Sequence, residues 1–291
     1  MKILIIGADG QVGKHLYSSA LKTGNFSVAG TYRNPDNNTS PDFLYLDLTK
    51  PETIKEVFNL IKPEVVVLCS AMTHVDNCER YKEEAWNINV EGARLISEYC
   101  KTYNSRLVFF STEYVFDGTS GPYAETDATN PISEYGKTKL EGEKIVSALN
   151  EALIIRTTVV YSYESESKNF LMQVLRKGAL NEKMNVVSDQ YSNPTNAAEL
   201  ADFTLELIKL KKSGIYNVVG KDVMNRYEFA LKICEIFNLS SDLIAPELTA
   251  NLNQMAKRPL KAGLKTDKIF SELNKAPNGA ESSLKAIKNS L

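Results

Sequence analysis

The sequence contains no apolar run near the ~18 residues that a membrane span requires, so a transmembrane helix is not expected. It also lacks a surplus of charge. Lys plus Arg number 34 against 36 Asp plus Glu, a formal net charge of −2. Nothing electrostatic therefore points to nucleic acid or an anionic membrane as a partner. Cysteine is scarce: Cys69, Cys78, Cys100 and Cys234 form no C-x-x-C pair and no metal spacing. They read as reduced packing residues in a reducing compartment, and no metal site is expected from them. The N-terminal MKILIIGADG reaches glycine too soon for a signal peptide, and a cytoplasmic location is expected. Internal repeats and low-complexity linkers are missing too.

What is present is an ordinary globular composition, 43% hydrophobic and 24% charged over 291 residues, enough for a large α/β core. KILII (2–6), FSVAGTY (26–32), FLYLDL (43–48), VVVLCS (65–70), RLVFFS (106–111) and ALIIRTTVVY (152–161) read as strands. Helical patterns separate them, from about Val12 to Lys22, in PETIKEVFNLI (51–61) and in EEAWNINVEGARLISEYCK (83–101). This alternation predicts an α/β fold with a Rossmann-like, doubly wound parallel sheet. Near-continuous apolar strands suit a sheet covered on both faces. After about residue 160 the rhythm loosens into helical stretches at 168–180, 197–212 and 226–239 with short strands at 184–187 and 214–219. The expectation is a cofactor-binding domain over 1–160 and a smaller C-terminal substrate-binding lobe over 161–291, with some segments returning to the main sheet.

GADGQVG places Gly7, Gly10 and Gly13 directly after the first strand. Glycines there let the backbone turn tightly and approach a pyrophosphate at a helix N-terminus. In that position the pattern is much stronger than a lone glycine motif, and its spacing resembles the short-chain dehydrogenase/reductases. The second strand ends in GTYRN, with Arg33 and no acid at positions 30 to 34. An Arg there suits the extra phosphate of NADP, so NADPH is the expected cofactor, with NADH the alternative; the bland reading of Arg33 is a solvated loop charge. Asp47 and Leu48 end the third strand, where the resemblance to that superfamily implies contact with the adenine edge, although Asp47 also suits a helix cap.

NPISEYGKTKLEGE (130–143) sets Tyr135 and Lys139 one helical turn apart. In a chain with 14 Tyr and 34 Lys plus Arg such a pair arises by chance, so its surroundings must decide. Asn130 is the expected N-cap and Pro131 the expected first-turn residue. RLVFFST brings a strand to its carboxyl end at Thr112, where ligand crevices of open α/β sheets lie. The chemistry needs all three groups. A ketone receiving hydride gains negative charge on oxygen, and a phenol can supply the proton. A free Tyr has a pKa of about 10, and a neighbouring ammonium is expected to lower it. The Thr112 hydroxyl can bond the developing oxyanion.

From GADGQVG, SAMTHVDNCE (70–79), NINVEG (87–92), STEYVFDG (111–118), PISEYGKTKLEGE (131–143), KNF (168–170), DQYSNPT (189–195) and RP (258–259), the chain resembles the dTDP-4-dehydrorhamnose reductase family over about residues 1 to 265. The resemblance implies catalytic roles for Thr112, Tyr135 and Lys139. It implies cofactor contacts from Gly10, Gln11, Val12, Ser70, Ala71 and Met72, and sugar-nucleotide contacts from Glu113, His74, Asn169 and Arg258. Asn89 would support the helix beside the site, and Trp86 reads as packing. A homodimer is a family-level expectation, and the need for Mg2+ stays undecided. Three positions depart from the family: Val159 stands where it has Trp, Glu113 where it has Asp, and Ala262 where it has Ser. All fall at the sugar-nucleotide end. Two other readings stay open: another sugar-nucleotide epimerase or dehydratase, and a non-catalytic NADP-binding regulatory subunit resembling that of methionine adenosyltransferase.

Overall fold

The computed structural model describes residues 1–34, 40 and 42–291. Strands β1 (Lys2–Ile6), β2 (Ser27–Tyr32), β3 (Leu44–Tyr45), β4 (Val65–Leu68), β5 (Arg106–Thr112), β6 (Leu153–Thr157) and the strand Gly214–Asn217 form one seven-stranded sheet. Its order is Gly214–Asn217, β6, β5, β4, β1, β2, β3, and every adjacent pair is parallel. The chain runs outward from β1 to β3 and then returns to β4 on the other side of β1. That reversal opens a crevice beyond the carboxyl ends of β1 and β4.

The two-residue period of the strands sorts their side chains onto the two faces. Ile3, Ile5, Val65, Val67, Val108 and Ile155 pack against Leu16 and Ala20 of helix α1 (Gln11–Thr23) and against Leu200 and Phe203. Leu4, Ile6, Val66, Leu68, Leu107, Phe109 and Ile154 pack on the other face with Ile54 and Phe58 of α2 (Pro51–Ile61). Each such fully buried side chain contributes about 1.5–3 kcal/mol relative to exposure. Pro51 opens α2, where its missing N–H costs nothing, and Lys62 closes it in the left-handed conformation. A separate cluster around Tyr161, Leu171, Phe229, Ile233 and Leu284 forms the core of the later part of the chain. No helix among the described residues is long and apolar enough to cross a membrane.

The run at 83–101 is not one uniform helix. Beyond α3 (Val75–Arg80) and α4 (Lys82–Trp86) comes a π-helical segment, Asn87–Glu91, and then α5 (Gly92–Tyr103). The widened turn points Asn89 inward. Its side chain accepts from the Met72 N–H at 2.8 Å and donates to the Met72 carbonyl and the Thr138 hydroxyl, both at 3.1 Å. Trp86 is 45% exposed, so the packing reading does not hold for it. The run at 152–161 is also broken. β6 ends at Thr157, Val159 turns into the left-handed region at φ +45°, and Val160–Tyr161 pairs with Thr195–Asn196 instead.

Helix α6 (Glu134–Ser147) carries Tyr135 and Lys139. Its N-cap is Ser133, whose hydroxyl accepts from the Gly136 N–H at 3.2 Å, and not Asn130. Asn130 is spent elsewhere, donating to Asp117 at 3.2 Å. A buried bidentate pair ties α6 to the sheet: Arg156 of β6 donates to Glu143 at 2.9 and 2.7 Å, with both side chains under 5% exposed. Glu143→Ala leaves that guanidinium buried without its partner, at an expected cost of about 3–5 kcal/mol. Lys144→Ala breaks only the exposed pair with Glu141 and costs less than about 1 kcal/mol. Urea unfolding midpoints separate the two variants, and equal midpoints would refute the assigned role of Glu143.

Candidate active site

A cavity of about 860 Å³ lies beyond the carboxyl ends of β1, β4, β5 and β6. The glycine-rich turn forms part of its wall: Gly7, Gly10, Gln11, Val12 and Gly13 all line it. Gly7 has φ +83°, and a Cβ there would meet the Ser70 Oγ at 2.4 Å, so no other residue fits without displacement. Gly10 caps α1 with only the Gly7 carbonyl near a would-be Cβ, at 3.4 Å. The backbone is thus open toward the cavity where a pyrophosphate would meet the helix start. Arg33, Asp47 and Leu48 line the same cavity, as do Ser70, Ala71 and Met72. The Asp47 carboxylate accepts from the Thr49 N–H at 2.9 Å, so it holds a local turn, and it is not the N-cap of α2. This lining fits a dinucleotide: a bare glycine turn for the phosphates, a cation at the end of β2, and a loop after β4 braced by Asn89. Among the described residues no cluster of three His, Cys, Asp or Glu side chains could hold a metal ion.

Thr112, Tyr135 and Lys139 line this cavity too. Their approach depends on close packing of α6. A Cβ on Gly136 would meet the Tyr114 carbonyl at 2.1 Å, so only glycine lets the start of the helix lie against the turn Glu113–Val115. The Tyr114 and Tyr135 rings meet edge to face at 5.6 Å. The Lys139 ammonium sits 4.0 Å above the Phe109 ring centroid.

The expected lowering of the Tyr135 pKa is not found. Burial pushes the phenol well above its ordinary value, opposed by its hydrogen bond with Thr112. Burial also pushes Lys139 down to about 8, opposed by the Glu143 carboxylate. Desolvation dominates both groups and favours the neutral form of each. The phenol therefore holds its proton, the state a general acid needs.

Glu113 is 3% exposed and lines the cavity beside Thr112. Its Oε1 accepts a short hydrogen bond from the Thr158 hydroxyl, while its Oε2 has no partner among the described residues. Burial lifts its pKa to about 8. Val159 lines the cavity in its left-handed conformation, an outlier for a β-branched residue.

Three residues implied by the resemblance are not brought into the lining. His74 caps α3, its Nδ1 accepting from the Asn77 N–H at 3.2 Å. Asn169 caps α7 (Phe170–Ala179) and donates to the Ser162 carbonyl at 2.8 Å. Arg258 pairs with Asp76 at 2.9 Å and donates to the Ala256 carbonyl at 3.0 Å. Each is held by local structure. The sequence reading missed Tyr114, Thr158 and Arg226, all of which line the cavity. Beyond α8 (Ala197–Lys209), Arg226 opens α9 (Arg226–Phe237), and nothing in its sequence surroundings marks it as a site residue.

Comparison with known proteins agrees with this geometry. A family model described as RmlD substrate binding domain matches residues 1–291. A dTDP-4-dehydrorhamnose reductase of Aggregatibacter actinomycetemcomitans is 30% identical, over 99% of this chain and 98% of its own. Methionine adenosyltransferase 2 subunit beta of Danio rerio is 29% identical, over 92% of this chain and 84% of its own. The crystal structure of dTDP-4-dehydrorhamnose reductase from Bacillus anthracis in complex with NADP superposes with a TM-score of 0.88 at 28% identity, covering 100% of this chain and 99% of that one. With a Rossmann-like sheet, a glycine-turn cavity and a match along its whole length, the chain belongs to the RmlD substrate binding domain family.

Proposed function

We propose that the protein is an NADPH-dependent reductase of the 4-keto group of a nucleotide-activated 6-deoxyhexose, with dTDP-4-dehydro-L-rhamnose as the substrate tested first. The observation that carries this reading is the convergence of Thr112, Tyr135 and Lys139 on the cavity that also holds the glycine-rich turn and Arg33. NADPH, bound along that turn, supplies the hydride. The protein's own residues do the rest. Arg33 offers a cation for the phosphate that distinguishes NADPH from NADH. Thr112 donates a hydrogen bond to the ketone oxygen and orients it. Tyr135, protonated in its buried setting, gives up its proton as charge develops on that oxygen. Lys139 holds the nicotinamide ribose, and its ammonium stabilises the phenolate left behind.

One observation favours a second reading. Val159 lines the cavity where the resemblance implies a Trp, and the Danio rerio relative is named as a methionine adenosyltransferase subunit. A chain that binds NADPH, turns over no sugar nucleotide and binds a methionine adenosyltransferase would fit that reading.

NADPH absorbance in the presence of dTDP-4-dehydro-L-rhamnose tests the first reading. Tyr135→Phe should lower kcat by about 10²–10⁴-fold while NADPH binding persists; full activity in that variant refutes the proposal. A pH series gives an independent check. Lys139 titrates at about 8 in the free protein, and the active form is the ammonium. As pH rises through that value the ammonium is lost, so kcat/KM should fall along an alkaline limb centred near 8. The limb belongs to Lys139 if it survives in Glu113→Gln; a profile flat to pH 10 would remove Lys139 from the mechanism.

A further inference from the structure

Glu113, Thr158 and Arg226 line the cavity beside Thr112, and the proton and hydride chemistry above uses none of them. The Glu113 Oε2 is buried with no partner. An ionised carboxylate in that position would be strongly disfavoured, so burial holds the carboxyl in its neutral form. Arg226 does not neutralise it. Among the described residues no carboxylate lies within ion-pairing distance of the Arg226 guanidinium and no acceptor takes its N–H groups. Its contact is the face of the Phe170 ring, 5.2 Å away. A guanidinium stays charged at any working pH. This part of the wall therefore offers donors and one positive charge, with no anion to match.

We propose that Arg226 is the receptor for an oxyanion carried by the substrate. A guanidinium binds two oxygens of a phosphate or carboxylate in parallel, which fixes orientation as well as charge. The proposal rests on the sugar-nucleotide reading, under which the oxyanion is the diphosphate. A carboxylate on the sugar offers the same chemistry, and the test separates the two. The Asn225 and Glu228 side chains cap α9 reciprocally, so replacing Arg226 leaves the start of the helix intact.

Calorimetric titration of the wild type, Arg226→Gln and Arg226→Lys with dTDP, thymidine, dTDP-glucose and dTDP-glucuronate decides the matter. NADPH affinity, measured alongside, reports that each variant is folded. Arg226→Gln should weaken dTDP and both sugar nucleotides by at least about 30-fold, with thymidine unchanged and partial recovery in Arg226→Lys. A loss confined to dTDP-glucuronate assigns the oxyanion to the sugar. Equal binding of every ligand by wild type and Arg226→Gln overturns the proposal, as does failure of the wild type to bind any of the four. Because the readout is binding, Arg226-dependent affinity for dTDP with no oxidation of NADPH by dTDP-4-dehydro-L-rhamnose would count against the reductase reading and leave this one standing.

Discussion

The placement of the site depends on how one helix is held against the sheet. Arg156 on β6 grips Glu143 on α6 with two hydrogen bonds in a dry environment, and a third N–H reaches the Glu125 carbonyl at 3.2 Å. Glu125 in turn accepts from the N–H of Asn217, in the edge strand. Helix, inner strand, edge strand and the loop before α6 are thereby fixed together. Such a pair adds little net stability over apolar packing, but a misplaced partner is costly, so it restricts the helix to one seating. Gly136 completes that seating at the other end, where the helix meets the Tyr114 carbonyl. Tyr135 and Lys139 flank this contact, and their approach to Thr112 follows from it.

The same burial that fixes these groups sets their proton states. Desolvation raises the phenol of Tyr135 and the carboxyl of Glu113 and lowers the ammonium of Lys139. One cause acts in opposite directions on acids and bases because it always favours the neutral form. Near neutral pH the wall around Thr112 therefore presents a phenol, a carboxylic acid, hydroxyls, the Lys139 ammonium and the Arg226 guanidinium.

The fold was legible in the sequence where local rules decide it. The strands are apolar at successive positions because both faces are covered, and Gly7 sits where only glycine tolerates the backbone. That Thr112, Tyr135 and Lys139 would meet at one cavity was legible because a strand end and a single helical turn carry them. What was not legible came from long-range packing. ALIIRTTVVY is a strand by every local preference, yet Val159 is turned left-handed, and Val160–Tyr161 leaves β6 to pair with Thr195–Asn196. Asn130 is as good a cap as Ser133, but Asp117 claims it first. His74, Asn169 and Arg258 lie in motifs and prove to be anchors of helix ends and loops. Arg226 belongs to no motif, and only the packing of α9 brings it to the cavity.

Of the three departures that the resemblance implies, Glu113 and Val159 line the cavity, whereas Ala262 is buried outside its lining, against the expectation that all fall at the sugar-nucleotide end. An aromatic wall holds a sugar nucleotide by stacking, which is tolerant of ligand charge and depends on a flat face. Val159 offers no such face, and the backbone there is strained, a condition that persists only when surrounding structure enforces it. Recognition by Arg226 works differently, since a guanidinium in a partly desolvated wall discriminates by charge and by the spacing of two oxygens. Tyr135 and Lys139 are thus placed in the cavity by α6 on the sheet, and Arg226 by α9 from the later part of the chain, so the proposed reduction and the proposed oxyanion recognition are held by different elements.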